Sequence, residues 1–162
     1  MWLRACFYRT IYGEQVTNRM LEFRAQYRGT PRSVRQARTA VAEYARRCGF
    51  PEQLTVEIAL AAGEALANAV EHGNKDVGTI ELRCLFEGGV LVIEVSDQGE
   101  GFDYSTVGSR HREPNSIRGF GITIMRSLVD AIEFAERGTL VRLRKALRRD
   151  AAEAGGDEPL RG

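Results

Sequence analysis

The chain has almost no net charge. Its 23 Lys and Arg residues against 22 Asp and Glu leave +1, which removes the electrostatic case for nucleic acid or a membrane surface as the main partner. Cysteine is scarce, odd in number and scattered: three residues, Cys6, Cys48 and Cys84, with no CxxC pair and no Cys/His cluster. These features argue against a disulfide framework or a zinc site and fit a reducing cytoplasm. No apolar run approaches the ~20 residues that a spanning helix needs. The N-terminal MWLRACFYRTIYGEQ is interrupted by arginines and polar residues too early for a signal-peptide core. What remains is ordinary for a folded domain: 162 residues, 43% apolar and 28% charged, enough for one hydrophobic core and short for two.

Residues 1–19 have no clean period and read as a flexible extension ahead of Met20. LEFRAQY then alternates Leu21, Phe23, Ala25 and Tyr27 with polar residues, the period of a half-buried strand. Thr30 and Pro31 open a helix whose apolar positions run from Val34 to Cys48, with Gly49 as its stop. A second helix follows Pro51 and ends at Gly73, with Leu54, Ile58, Ala61, Ala65 and Ala69 as its packing face. TIELRCLF and GVLVIEVSD form a hairpin around Gly88 and Gly89, and the nearly all-apolar second strand suits the centre of a sheet. Residues 104–117 are a polar, aperiodic loop; GFGITIMRSLVD is a third helix; IEFAE and TLVRLRKAL are two closing strands around Arg137 and Gly138. The charged, Gly-rich tail from 148 to 162 reads as disordered, leaving 20–147 as the domain. The expected fold is a two-layer α/β sandwich with three helices on one face of a mixed, mainly antiparallel sheet of about five strands.

On the second helix, EALANAVEHG places Glu64, Asn68 and His72 in steps of four, one polar stripe beside the apolar face. Asp97 ends the central strand on the face of Leu91, Ile93 and Val95, and Gly99 and Gly101 follow it. Gly119 and Gly121 open the third helix. Singly, each has a plain structural reading: a surface Glu, a solvent-facing Asn, a helix-end His, a turn-capping Asp, glycines of a turn or a helix entry. In this order and these contexts, ExxxN, DxGxG and GxG resemble the nucleotide-binding boxes of the GHKL ATPase and kinase superfamily. EALANAVEHG, VSDQGEGFD and RGFGITIMRSLVD are most similar to the anti-sigma-factor serine kinases of the RsbW and SpoIIAB type, and the resemblance runs from about Leu21 to Leu147.

The resemblance implies the histidine kinase-like ATP-binding fold, with ATP and Mg²⁺ as ligands. It implies that Asp97 accepts the exocyclic amine of adenine, with Thr139 supporting it and Gly101 letting backbone approach the base. Gly99 serves there or only in the turn. Gly119 and Gly121 would leave amides for phosphate at a helix N-terminus. Asn68 offers a hard oxygen suited to Mg²⁺, and Glu64, one turn earlier, is placed to accept a proton from an attacking hydroxyl. His72 has helix-end packing and nucleotide contact as equal readings; Arg118, just before the glycines, is either solvated or in reach of a γ-phosphate. The loop 104–117 corresponds to the family's ATP lid but is short. The implied partners are a sigma factor and a STAS-fold anti-anti-sigma protein phosphorylated on serine, and the implied assembly is a homodimer. The alternatives are a nucleotide-binding module without phosphotransfer and the catalytic half of a histidine kinase. The latter is disfavoured by Glu64 and by the lack of a preceding phospho-acceptor segment. A gyrase-like or MutL-like ATPase would need transducer domains.

Overall fold

A computed structural model of the chain describes residues 21–73, 78–101 and 120–147. The expected extension at 1–19, the lid loop 104–117, Arg118, Gly119 and the tail from 148 lie outside the described residues. The elements are β1 (Leu21–Arg28), α1 (Pro31–Arg47), α2 (Glu52–His72), β2 (Thr79–Glu87), β3 (Val90–Ser96), α3 (Phe120–Leu128), β4 (Ala131–Ala135) and β5 (Leu140–Ala146), with a 3-10 turn at Glu136–Gly138 between the last two.

Helix α1 begins and ends where its sequence chemistry directs. The Thr30 hydroxyl accepts the Ser33 amide at 3.3 Å, and Pro31 takes the first helical position. At the other end Gly49 adopts a left-handed φ of 91°. Its amide donates to Arg46 O at 3.0 Å and the Phe50 amide to Ala45 O at 3.1 Å, the paired bonds of a Schellman motif. Phe50, 4% exposed, turns inward and meets Phe86 edge-on. Helix α2 follows at once. Ala61, Ala62, Ala65, Leu66 and Ala69 are all buried, so its apolar face is wider than the stripe of Ile58, Ala61, Ala65 and Ala69 alone. Small side chains on two flanks let α1, α3 and the sheet approach its backbone together.

The sheet order is β1-β2-β3-β5-β4, and all four ladders are antiparallel; among the described residues the expected sheet has no parallel pair. Apolar β3 lies at its centre. Phe23, Ile80, Leu82, Cys84, Leu91, Ile93, Val95, Val141 and Leu143 share the face on which the helices pack. The opposite face carries Arg24, Arg83, Glu94, Arg142 and Glu133 side by side, one from each strand. Glu94 takes Arg83 at 3.1 Å and Arg142 at 2.7 Å, and Glu22 and Glu133 extend the ladder outward. A concavity of about 700 Å³ on this face is lined by Arg24, Glu81, Arg83 and Glu94. Arg83 and Glu94 pair within it, Arg24 pairs with Glu22, and the Gln26 amide donates to Glu81; it lies across the sheet from the polar stripe of α2.

Candidate functional site

Helix α3 lies along α2 and brings its first turn onto the polar stripe. A methyl group at Gly121 would sit 2.8 Å from Glu64 Oε2 and 3.8 Å from both Asn68 Oδ1 and Nδ2. Any side chain at Gly121 would push the Glu64 carboxylate aside. Glu64 and Asn68 are half-buried at this seam, and His72, one turn further, is exposed. Met125, fully buried, holds α3 down on the core. The seam therefore presents a carboxylate and a carboxamide one turn apart beneath the start of a helix.

The second half of the site is made where α2 ends against the turn after β3. The Asp97 amide donates to Thr139 O at 3.0 Å, which extends the β3–β5 ladder by one residue. Its carboxylate Oδ1 accepts the Gly99 amide at 2.8 Å and closes the DxG turn. Gly73 stops α2 with an extended φ of −69°, so a left-handed backbone is not why glycine stands there. Any side chain at Gly73 would collide with Ala69 O and approach Asp97 Cβ to 3.3 Å, and one at Gly99 would lie 2.8 Å from Gly73 Cα. Two bare backbones thus pack against each other and draw Asp97 to the C-terminal end of α2. Gly101 has φ 75°, and a side chain there would meet Arg137 O and Thr139. The Thr139 hydroxyl donates to Glu136 O at 2.8 Å, so its link to Asp97 runs through its backbone carbonyl.

Burial raises the Asp97 pKa, against the lowering effect of the Gly99 amide and the nearby His72 imidazole. A half-buried carboxylate with one oxygen committed to a turn has its other oxygen outside that turn, chemically suited to receive an amino group. Asp97, Gly99, Gly101 and Thr139 form one cluster; Glu64, Asn68 and Gly121 form another; His72 stands between them on α2. Both clusters lie against α2, the first at its C-terminal end and the second along its flank under α3.

The profile of the histidine kinase-like ATPase domain matches residues 27–145. The chain belongs to the histidine kinase-like ATPase family. Relatives within the family include the anti-sigma F factor of Thermoanaerobacter sp., 30% identical over 124 residues that cover 70% of this chain and 85% of that protein. The serine-protein kinase RsbW of Halalkalibacterium halodurans is 29% identical over 126 residues, 72% of this chain and 77% of the relative. Among solved structures, the RsbU and RsbW domains of a Mycobacterium tuberculosis protein superpose with a TM-score of 0.61 at 23% identity. That match covers 81% of this chain and 34% of the solved one, and establishes the fold.

Family membership implies ATP binding, and the donor set at the seam fits the family's ligand. Among the described residues no three His, Cys, Asp or Glu side chains assemble into a metal cage. A divalent ion at this seam would find the Asn68 carboxamide oxygen as a protein donor and would draw the rest of its shell from phosphate and water, the habit of Mg²⁺. No helix of the described residues is long and apolar enough to cross a membrane. Two contributors went unrecognised in the sequence. Gly73 reads there only as a helix stop, and Arg137 only as a turn residue, although its carbonyl lies against Gly101.

Proposed function

We propose that the chain is an ATP-dependent protein serine kinase that acts as an anti-sigma factor. It binds a sigma factor and phosphorylates a serine on a STAS-fold antagonist, so that the two proteins compete for it. The observation that carries this reading is the seam of α2 and α3, where Gly121 admits a helix start directly over Glu64 and Asn68. In this assignment Asp97 receives the adenine amine through its unshared oxygen and Gly101 gives the base access to the backbone. The first turn of α3 turns unpaired amides toward phosphate oxygens, with Gly119 and Arg118 as the preceding contacts. Asn68 ligates Mg²⁺, whose charge neutralises the phosphates. Glu64 accepts the proton of the serine hydroxyl as its oxygen bonds to the γ-phosphorus and the bond to ADP breaks. The relatives' names, anti-sigma F factor and serine-protein kinase RsbW, support the same reading.

Incubation of the purified chain with γ-labelled ATP, Mg²⁺ and a STAS-fold partner tests it. Label on a serine of the partner is the expected result. An ATP-induced thermal shift without label transfer would replace the kinase by a nucleotide-gated binding module, and the lack of any shift would refute the nucleotide assignment.

A further inference from the structure

Lys145 stands where the strand pattern calls for an apolar residue. The ladders put it in one row with Leu91 and Phe86, on the face that carries the helices, and its side chain is 14% exposed. An ammonium in such a place is tolerated only when it is paired and hydrogen-bonded. Its Nζ donates to Glu57 Oε2 at 3.0 Å and to Leu128 O at 2.7 Å. Leu128 is the last residue of α3, so the ammonium also occupies the negative end of that helix and satisfies a carbonyl that a helix end leaves unpaired.

The position of this contact matters for the site. Glu57 precedes Glu64 on α2 by as many residues as Leu128 follows Gly121 on α3. The two helices therefore run antiparallel with a contact at each end, roughly 10 Å apart at 1.5 Å per residue. One end is the Lys145 bridge; the other is Gly121 over Glu64 and Asn68. Helix α3 has nine residues, too few to hold itself without packing. Buried Met125 and Val129 keep it on the core through apolar packing, which is non-directional. The ammonium adds a directional contact at that end, beside the Asp130 amide that donates to Arg144 O at 2.9 Å and the Ala146 amide that donates to Asp130 Oδ2 at 2.7 Å.

Resting on the kinase reading above, we propose that Lys145 is a positioning residue for phosphoryl transfer: by tying the C-terminal carbonyl of α3 to Glu57, it sets where Gly121 lies over Glu64 and Asn68. Adenine is held elsewhere, by the turn after β3, so loss of the tie separates catalysis from nucleotide affinity. Lys145→Met, which keeps the length of the stem, should lower kcat by about 10- to 100-fold, the effect of a displacement near 1 Å. The KM for ATP and the affinity for ADP should stay within about threefold. Lys145→Arg should restore most of kcat, and Glu57→Gln should reproduce the loss in weaker form. In the nucleotide-free protein, Lys145→Met should speed amide exchange in α3 by about tenfold while β3 is unchanged. An unchanged kcat, unchanged α3 exchange, or a loss of ADP affinity in step with kcat would each overturn the proposal. A wild-type protein without phosphotransfer would instead overturn the kinase reading, and the exchange measurement would still decide whether Lys145 holds α3.

Discussion

Asp97→Asn should separate what that carboxylate does for the ligand from what it does for the fold. Burial raises its pKa above the ordinary value of 3.8. The folded state therefore holds the proton more tightly than the unfolded one, and stability falls as pH rises from 3.8 through the folded value. At neutral pH the ionised carboxylate is a standing cost. Asparagine removes that charge, and its Oδ1 can still accept the Gly99 amide that closes the turn. The nucleotide-free variant should melt at or above the wild-type temperature. Its ATP response should collapse, because an amide N–H would now face the adenine amine in place of a charged acceptor. A charge-assisted hydrogen bond is worth about 1.5–3 kcal/mol, or about 10- to 100-fold in Kd. With ATP at about 100 times the wild-type Kd, ligand binding stabilises the wild type by about 2.7 kcal/mol; a 100-fold weaker variant would gain only ~0.4 kcal/mol. In a domain of this size that is a melting shift of roughly 5–10 °C against roughly 1–2 °C. Differential scanning fluorimetry with and without Mg-ATP, at pH 7, reads both numbers. A full ATP shift in Asp97→Asn would refute the adenine assignment; a variant that melts well below wild type without ligand would show that Asp97 serves the fold.

Gly121→Ala would place its methyl 2.8 Å from Glu64 Oε2. Because that atom is the end of a flexible side chain, the carboxylate should swing aside. The melting temperature should move by no more than about 2–4 °C, an effect of ~1 kcal/mol, while phosphotransfer falls at least about tenfold; calorimetry and a single-turnover assay decide. Asn68→Ala should weaken ATP binding only when Mg²⁺ is present, so that chelation of the metal makes variant and wild type bind alike in titration calorimetry. Cys48 and Cys84 should stay unlabelled by a maleimide in the native protein at neutral pH and react on unfolding, read by peptide mass. Burial pushes the Cys48 thiol up to about 11, and it raises Cys84 as well, leaving almost no thiolate.

The elements were legible because their signals are local. The alternation of Phe23, Ala25 and Tyr27, the Thr30-Pro31 opening and Gly49 stop of α1, and the apolar run of β3 each need only a few neighbours in sequence. What the sequence could not disclose depends on residues far apart in it. Gly73 has an ordinary φ; a side chain there would collide first with the Ala69 carbonyl of its own helix and then press on Asp97, which the sheet brings against it. The support of Thr139 for Asp97 runs through its backbone carbonyl, because the turn at Glu136–Gly138 captures its hydroxyl locally. Lys145 falls on the apolar period of β5, a visible irregularity, but its partners Glu57 and Leu128 follow only from the packing of α2 and α3. Glu64, Asn68 and Gly121 were separately visible as motifs; their contact is a property of the seam.

In the proposed mechanism Glu64 takes the serine proton while the rest of the cleft holds Mg-ATP. Glu64→Gln keeps the volume beneath Gly121 and removes the basic oxygen. In a single-turnover assay of label transfer from γ-labelled ATP to the STAS-fold partner, with nucleotide affinity measured alongside, Mg-ATP affinity should stay within about threefold of wild type. Transfer should fall at least about 100-fold, the lower end of what a general base contributes. Transfer at the wild-type rate would contradict that mechanism.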